Sequence, residues 1–348
     1  MPIQTGVMRH PIYTEHLADY PHVESPRRLE VIYEALDSQE MKDRFLVLPP
    51  REAGDEALAR VHSRHHIQRI AATEGKPQTS LDPDTQTTSQ SNRAARMAVG
   101  GQFVLLDAIF DGRIRNGFAF VRPPGHHAER DRAMGFCLFN NVACAAEYAM
   151  HTYSVKKVLI LDWDLHHGNG TQNSFYENPN VLYFSTHQFP HYPGSGSATE
   201  VGRGPGKGFT VNVPLPPGQK DSDYLWIFKR VLAPIAQSFE PELILISAGF
   251  DAYIDDPLGG MNVTAKGYGV LTRMLMDLAD TCCSGRLALT LEGGYHLAGL
   301  QTSTTYVLNE LSGESLLTPE TLTAWEAVPP PPVVEEVIDI QRSFWPDL

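Results

Sequence analysis

The stretch from Val158 to Gly170 constrains the fold most, because a wholly apolar run ends abruptly on carboxylates and imidazoles. The apolar residues at its start predict a buried strand. Side chains alternate between faces in an extended chain, so Asp162, Asp164 and His166 are predicted to point the same way. Such a buried face would be costly to desolvate unless a cation lay on it. The stretch therefore predicts a metal site, although each acidic residue alone could be an incidental strand end.

Further apolar runs predict strands, and segments with helical periodicity lie between most of them. Strands that are apolar throughout are typical of a parallel sheet covered on both faces by helices. No linker divides the chain, so the sequence predicts one α/β domain over residues 1–348. The predicted strands are 118–121, 158–161, 181–186, 209–213, 243–247 and 287–291, and the predicted helices are 28–36, 92–110, 140–150, 224–239 and 265–280.

Two segments lack such periodicity. Residues 75–91 are rich in Thr, Ser, Asp and Pro, which predicts a long surface loop, and loops of that length are often functional. Within this loop, Asp82 and Asp84 could serve at the rim of a site, but solvated loop acids are the favoured interpretation. The tail from Pro329 starts with four consecutive prolines and is predicted to be an extended wrap or an arm.

Charge and cysteine content exclude several classes of function. Lys and Arg total 28 against 41 Asp and Glu, a net charge of -13, which argues against nonspecific binding to nucleic acid or to an anionic membrane. The cysteines form no CxxC pair, so neither a disulfide framework nor a thiolate zinc site is predicted. The N-terminal residues do not resemble a signal peptide, and no stretch approaches the roughly 20 apolar residues that span a bilayer. A cytoplasmic protein is expected.

Reactive side chains follow four of the six predicted strands. They are His126 and His127 after the first strand, the segment 162–166 at the second, Asp251 after the fifth and Tyr295 after the last. Ligands bind beyond the carboxyl ends of the strands in an open parallel sheet. We therefore expect these side chains to converge at one edge of the sheet.

The converging side chains predict a catalytic metal centre. Asp164, His166 and Asp251 would supply three ligands and leave a position for water and substrate, as in catalytic zinc sites. Such a metal would polarise a carbonyl and lower the pKa of a bound water. Fe²⁺ could use the same ligands, because carboxylate and imidazole do not exclude it.

Three further residues are candidates for proton transfer and charge stabilisation. His126 and His127 follow a rigid Pro-Pro-Gly turn, as an acid–base pair would require. Tyr295 lies on a Gly-Gly turn and could bring its phenol to a developing oxyanion. Any one of them alone would more often be a structural residue, but beside a metal site the catalytic interpretation is favoured.

Six motifs occur along the chain: RPPGHHA (122–128), GFCLFNN (135–141), DWDLHHGNGT (162–171), SAGFDA (247–252), DPLGGM (256–261) and LEGGY (291–295). In this order they are similar to those of the zinc-dependent histone deacetylase family. The form with Asn169 resembles the class II deacetylases and their bacterial relatives, the histone deacetylase-like amidohydrolases and acetylpolyamine amidohydrolases. The resemblance covers about residues 6–310, leaves 311–348 as a C-terminal extension, and implies the single-domain, three-layer arginase/deacetylase fold with a mostly parallel central sheet.

The resemblance implies two kinds of metal site. Asp164, His166 and Asp251 would be the zinc ligands. Asp162 and Ser185, with backbone carbonyls, would bind a structural K⁺. Binuclear manganese enzymes of the same fold carry an additional acid two residues before Asp251, and this chain has glycine there, so one catalytic metal is expected.

The resemblance also implies catalytic roles. His127 would be the general base and then the acid that protonates the leaving amine, with His126 as its electrostatic partner. Asp162 would orient His126, and Asn169 would lie near His127, where other classes have a carboxylate. Tyr295 would donate to the tetrahedral oxyanion.

A narrow substrate tunnel is implied as well. Gly135, Phe136 and Tyr192 would line it, together with Leu258 and Gly293. The family usually has phenylalanine in place of Tyr192, which bears on the polarity of the tunnel. Leu258 stands where polyamine-selective members of class II carry a gating glutamate, and this difference weakens the polyamine interpretation without abolishing it.

These features together predict a metal-dependent deacetylase of acylated primary amines, with acetyl-lysine side chains as the favoured substrate. Hydrolysis of acetylpolyamines is the alternative reaction. An alternative of another class is a catalytically silent module that binds acyl-lysine. The expected partner is an acylated lysine peptide or a small acylated amine, with no direct nucleic-acid binding and no membrane, and the chain could form a homo-oligomer.

Overall fold

Eight parallel strands form the central sheet of the protein. The computed structural model describes residues 4–346 and Leu348. The strands are β1 (Gln4–Met8), β2 (Leu46–Leu48), β3 (Thr79–Asp82), β4 (Thr85–Thr87), β5 (Ile114–Ala119), β6 (Val158–Asp162), β7 (Val181–Gln188), β8 (Thr210–Leu215), β9 (Leu243–Ala248) and β10 (Leu287–Leu291). Their order across the sheet is β2-β1-β5-β10-β9-β6-β7-β8, and β3 pairs with β4 in a separate antiparallel hairpin.

Two groups of helices pack against this sheet. The α-helices are α1 (Arg27–Leu36), α2 (Asp55–Leu58), α3 (Arg64–Ala71), α4 (Ser91–Phe110), α5 (Asn141–Thr152), α6 (Asn169–Phe175), α7 (Asp221–Ile227), α8 (Ala233–Phe239), α9 (Ala265–Cys283), α10 (Leu297–Leu311), α11 (Pro319–Glu326) and α12 (Val333–Gln341). Helices α4 and α5 pack on each other and on the sheet, and α9 and α10 form a second such pair, joined by α1, α7 and α8. The predicted α/β fold with a parallel central sheet is confirmed.

Among the described residues, no helix combines the length and the apolarity that a bilayer span requires.

Local sequence explains why these elements form where they do. Strands β6, β9 and β10 are buried along their whole length, as expected of apolar strands in the middle of a covered sheet. The side chain of Asn140 accepts a hydrogen bond from the amide of Ala143 and caps α5. The side chain of Thr264 accepts from the amide of Gly267 and caps α9 in the same way.

The four strands at the centre of the sheet position the predicted site. Strands β5, β10, β9 and β6 are direct neighbours, and each is followed by one of the segments in which the sequence predicts reactive side chains. Asp162 at the end of β6 lies in register with Ser247 on β9, and Leu291 at the end of β10 lies in register with Ala248. Because the strands are parallel and in register, these segments leave the sheet side by side.

Three parts of the chain differ from the sequence predictions. Strands β1 and β2 lie within residues 1–60, where the sequence predicts none, because both are short and lack a long apolar run. The predicted loop over 75–91 contains the β3–β4 hairpin, whose polar strands pair only with each other. The single helix predicted over 224–239 is two α-helices joined by a π-helical segment at Phe228–Leu232.

The C-terminal tail contains helix α12, so the prediction of an extended wrap or arm from Pro329 is wrong over Val333–Gln341. Pro332 is the N-cap of α12, where a proline is tolerated because the first helical amides have no partner within the helix. Helix α12 packs on the outermost strand β8. Gln341 donates to the carbonyl of Thr210 at 3.3 Å, and the indole of Trp345 donates to the carbonyl of Gly208 at 3.0 Å. The tail thus covers an edge of the sheet.

Candidate active site

Asp164, His166 and Asp251 come together beyond the ends of β6 and β9. Their ligand atoms all lie within 4.8 Å of one another. Nδ1 of His166 is 3.0 Å from Oδ2 of Asp251 and 3.3 Å from Oδ1 of Asp164. Two buried carboxylates around one imidazole nitrogen form a donor set that fits a divalent cation. Trp163 and Leu165, on either side of Asp164 in the sequence, are fully buried in the core, as the alternation of side chains requires.

Backbone amides fix the orientation of both carboxylates. Asp251 Oδ1 accepts from the amide of Leu165 at 2.8 Å, and Asp164 Oδ2 accepts from the amide of Gly293 at 2.8 Å. A Cβ atom on Gly293 would lie 2.3 Å from Oδ2 of Asp251. Only glycine therefore allows the backbone of this turn to approach the two carboxylates so closely.

The imidazole of His166 is basic in the absence of a metal. Burial lowers its pKa, but hydrogen bonds to Asp164 and Asp251 and their charges outweigh burial and raise the pKa to about 10. Below that pH, His166 carries a proton in the position that a metal would occupy. A metal and this proton therefore compete for the same nitrogen.

We expect metal binding to release about one proton, so that the apparent affinity for Zn²⁺ rises with pH by about tenfold per unit near neutrality. The sign follows from the raised pKa of His166, because metal-free protein must lose the proton and does so more readily as pH increases. Calorimetric titration in buffers of different ionisation enthalpy would count the protons. An affinity that is independent of pH would contradict this account of the site.

His126 and His127 lie next to the metal ligands, with ring centroids 3.9 Å apart. Nδ1 of His126 is 3.0 Å from Oδ2 of Asp162, and Nδ1 of His127 is 2.8 Å from Oδ1 of Asn169. Burial opposes the charged form of His126, but the negative charges of Asp164 and Asp162 outweigh burial and raise its pKa to about 10. Burial and the positive charge of His126 lower the pKa of His127. The pair therefore consists of a cationic ring and a neutral ring that can accept a proton.

Asp162 takes a supporting position, apart from the ligand cluster. Its carboxylate accepts from the hydroxyl of Tyr183 at 3.1 Å and from the amide of Asp164 at 3.2 Å, in addition to its contact with His126. Ser185 lies in register with Asp162 on the neighbouring strand β7, and its hydroxyl is 2.9 Å from Nδ1 of His187. Both residues predicted to bind K⁺ are thus adjacent and fully buried.

A cavity reaches His166 of the metal ligands, and all five predicted tunnel residues line it. Phe136 and Tyr295 face each other across it as an edge-to-face pair with centroids 6.0 Å apart. Gly135 has a positive φ of 56°, and a Cβ atom there would lie 2.3 Å from the ring of His127. The cavity is lined by Asp84, Pro124, His126, His127, Gly135, Phe136, His166, Tyr192, Leu258, Gly293 and Tyr295.

The β3–β4 hairpin, which lies in the predicted loop over 75–91, contacts the mouth of the cavity. Asp84 Oδ1 accepts from the amide of Gly135 at 3.1 Å, and Asp82 accepts from Arg132 at 2.6 Å. The favoured interpretation of these two acids as solvated loop residues is therefore wrong. Tyr192 lies at the opening, with 37% of its surface exposed, and its ring meets that of His127 edge to face at 5.2 Å.

The turn that carries Tyr295 has support that sequence reasoning missed. Oδ2 of Asp256 accepts from the amides of Tyr295 at 2.6 Å and His296 at 3.1 Å. The guanidinium of Arg28 lies 4.9 Å from the centroid of the Tyr295 ring and donates to the carbonyl of Gly294. Asp256 opens the motif DPLGGM, so the sequence contains a signal that this acid is functional. Nothing in the sequence distinguishes the buried Arg28 from an exposed arginine of the same helix.

Comparison with known proteins agrees with this geometry. Residues 22–311 match the family model described as "Histone deacetylase domain". Histone deacetylase 15 of Arabidopsis thaliana is 44% identical over 333 residues, which cover 94% of this chain and 59% of that protein. Polyamine deacetylase HDAC10 of Danio rerio is 38% identical over 340 residues, which cover 93% of this chain and 49% of that protein.

A solved structure gives the same result for the fold. The crystal structure of the HDA15 HD domain superposes with a TM-score of 0.90 at 42% identity and covers 99% of this chain and 97% of that chain. The chain spans about half the length of the curated relatives it matches. The family model covers most of the chain and the fold agrees throughout, so the chain belongs to the histone deacetylase family, and the expected similarity to class II members is confirmed.

Proposed function

We propose that this protein is a metal-dependent deacetylase that hydrolyses the amide of acylated primary amines, with acetyl-lysine side chains as the favoured substrate. One observation carries the proposal: one cavity is lined by His166 of the three-ligand metal cluster, by the histidine pair and by Tyr295. The printed names of its relatives, histone deacetylases and a polyamine deacetylase, support the same class of reaction.

The residues of this chain divide the work of amide hydrolysis. When bound, Zn²⁺ would supply a Lewis acid for the amide carbonyl and would acidify the attacking water. The hydrogen bond from Nδ1 of His127 to Asn169 leaves Nε2 of His127 to take the water proton and then to return it to the leaving amine. The hydroxyl of Tyr295 donates a hydrogen bond to the carbonyl oxygen as negative charge develops there. His126, held by Asp162, stabilises that charge.

The metal assignments beyond a catalytic centre are also proposals. Zn²⁺ is our first choice for Asp164, His166 and Asp251, and Fe²⁺ is compatible with the same ligands. Structural K⁺ is proposed near Asp162 and Ser185, because their side chains are adjacent on β6 and β7 and are buried.

Two features bear on the choice between acetyl-lysine and acetylpolyamine. Leu258 lines the mouth of the cavity and offers no charge to a distal ammonium, which favours acetyl-lysine. The similarity to a polyamine deacetylase and the carboxylate of Asp84 at the same mouth favour the second substrate. Leu258 occupies the position of the gating glutamate of polyamine-selective members, so we place acetyl-lysine first.

A metal titration with parallel substrates tests the function. Metal-stripped protein is titrated with Zn²⁺, and acetate release is followed from an acetyl-lysine peptide, acetylputrescine and acetylspermidine. We expect turnover to appear with about one equivalent of metal and to favour the peptide in kcat/KM. A preference for the polyamines would reverse the order of substrates. Affinity for the peptide without turnover of any acyl amine would indicate a silent binding module.

Cellular context is proposed from composition. The four cysteines are unpaired and three of them are buried, which suits a reducing compartment, and we propose that the protein is cytoplasmic. The net charge of -13 supports a protein that acts without direct contact to nucleic acid or membrane. We also propose that the chain forms a homo-oligomer, which light scattering on the purified protein would test.

A further inference from the structure

Glu129 connects to the catalytic histidine through Asn169. The carboxylate oxygen Oε1 of Glu129 accepts from Nδ2 of Asn169 at 2.8 Å. The other end of the same amide, Oδ1 of Asn169, is the partner of Nδ1 of His127 at 2.8 Å. Oε1 also accepts from Nδ2 of Asn173 at 2.9 Å, one turn further along α6. An acid, an amide and the imidazole thus form one chain of hydrogen bonds.

An asparagine in this position can face either way. Its amide has an acceptor end and a donor end, and the two ends are nearly identical in shape. With Oδ1 towards the ring, Nδ1 of His127 carries the hydrogen and Nε2 is free to take a proton. With the NH₂ group towards the ring, Nδ1 becomes the acceptor and Nε2 carries the hydrogen, so the ring cannot act as a base. An aspartate would present an acceptor in both orientations.

Glu129 is well placed to choose between these orientations. A carboxylate only accepts, so the donor end of the Asn169 amide is drawn to it. The backbone of Glu129 is itself fixed, because its amide donates to the carbonyl of Arg132 at 2.9 Å and its carbonyl is 2.9 Å from Nδ1 of His62. Nε2 of His62 accepts from the amide of Asn140, so Nδ1 carries the hydrogen and donates. Burial lowers the pKa of His62 to about 3, so this ring stays neutral.

We propose that Glu129 is a positioning residue that sets the tautomer of His127 by orienting the amide of Asn169. The proposal rests on the deacetylase function proposed above. It assigns a purpose to an acid that follows the motif RPPGHHA directly and touches neither the metal ligands nor the cavity.

Turnover in two backgrounds tests the proposal. Glu129→Ala is expected to lower kcat by about 10- to 100-fold, as the loss of an outer-shell partner at a metal site commonly does, with KM nearly unchanged. Asn173→Ala, which removes the other amide partner of Glu129, is the matched control and should retain wild-type turnover. In the Asn169→Asp background, Glu129→Ala should cost nothing, because an aspartate has no wrong orientation. An equal loss in both backgrounds, or no loss in the first, would overturn the proposal.

A readout that is independent of activity covers the case of an inactive Asn169→Asp protein. In zinc-loaded protein, ¹⁵N chemical shifts of the His127 imidazole report which nitrogen carries the hydrogen, and the signal is assigned by its loss in His127→Gln. Hydrogen on Nδ1 is expected in the wild type, and a mixture or the other tautomer is expected in Glu129→Ala. An unchanged tautomer would overturn the proposal. Absence of turnover in the wild type would instead contradict the proposed function and would leave this readout intact.

Discussion

Replacing Tyr295 with phenylalanine is expected to lower kcat by about two to three orders of magnitude, the usual effect of removing one donor to a developing oxyanion. Burial raises the pKa of Tyr295, so its hydroxyl keeps the hydrogen that it donates at neutral pH. Phenylalanine retains the ring that packs on Arg28 and faces Phe136, so folding should be unaffected. Steady-state kinetics on an acetyl-lysine peptide, with the melting temperature as a check of folding, measure the effect.

Tyr192→Phe is the matched control for this prediction. It makes the same chemical change in a second tyrosine of the same cavity, but at the exposed mouth. The hydroxyl of Tyr192 is hydrogen-bonded to Asp84, so Tyr192→Phe should lower kcat by no more than about tenfold, the effect of losing one ordinary hydrogen bond. Equal losses in the two variants, or full activity of Tyr295→Phe, would remove the oxyanion role from Tyr295.

The residues that the sequence locates best are those that follow apolar strands. Alternation along one extended segment places Asp164 and His166 together, and the rule that parallel strands share a carboxyl edge adds Asp251 and Tyr295. Both inferences depend only on strand geometry. The structure brings these residues together because β5, β10, β9 and β6 are neighbours, an order that the sequence alone does not contain.

Supporting residues were harder to foresee, because their roles depend on the path of loops. Arg27 and Arg28 are adjacent in one helix, yet Arg27 is exposed and pairs with Glu30, whereas Arg28 is fully buried against Glu24 and the turn before Tyr295. No pattern in the sequence separates them. The β3–β4 hairpin is not predicted from the sequence either, because its strands are short and polar and pair only with each other.

Carboxylates outside the ligand cluster have a common purpose at this site. Asp256 holds the amide of Tyr295, and Oε2 of Glu292 accepts from the amides of Gly125 at 2.6 Å and His126 at 3.1 Å. Each acid fixes the backbone of a segment that carries a catalytic side chain. Hydrogen bonds to buried carboxyl groups therefore position the loops at the edge of the sheet, which favours precise placement of the reacting groups.

Asp251→Asn is expected to abolish stoichiometric zinc binding and to lower kcat by about three orders of magnitude or more, because a bound metal contributes several kcal/mol to charge stabilisation. The variant keeps the acceptor oxygen for the amide of Leu165 but loses the negative charge. Metal content after dialysis and acetate release measure the two effects. Asp255→Asn, an exposed neighbour four residues on, is the control and should bind zinc and turn over normally.

Although Asp251→Asn should abolish zinc binding and activity, it should not lower the melting temperature of the metal-free protein. Burial and the charge of Asp164 raise the pKa of Asp251, and a carboxyl with a raised pKa destabilises the folded chain once pH exceeds its ordinary value. Neutral asparagine avoids that cost, so metal-free Asp251→Asn should melt at or above the wild-type temperature at neutral pH. Zinc at about 1,000 times its Kd should stabilise the wild type by about 4 kcal/mol and the variant far less. A wild-type response of the variant to zinc would show that Asp251 is not a ligand, because the site would then hold its metal without this carboxylate.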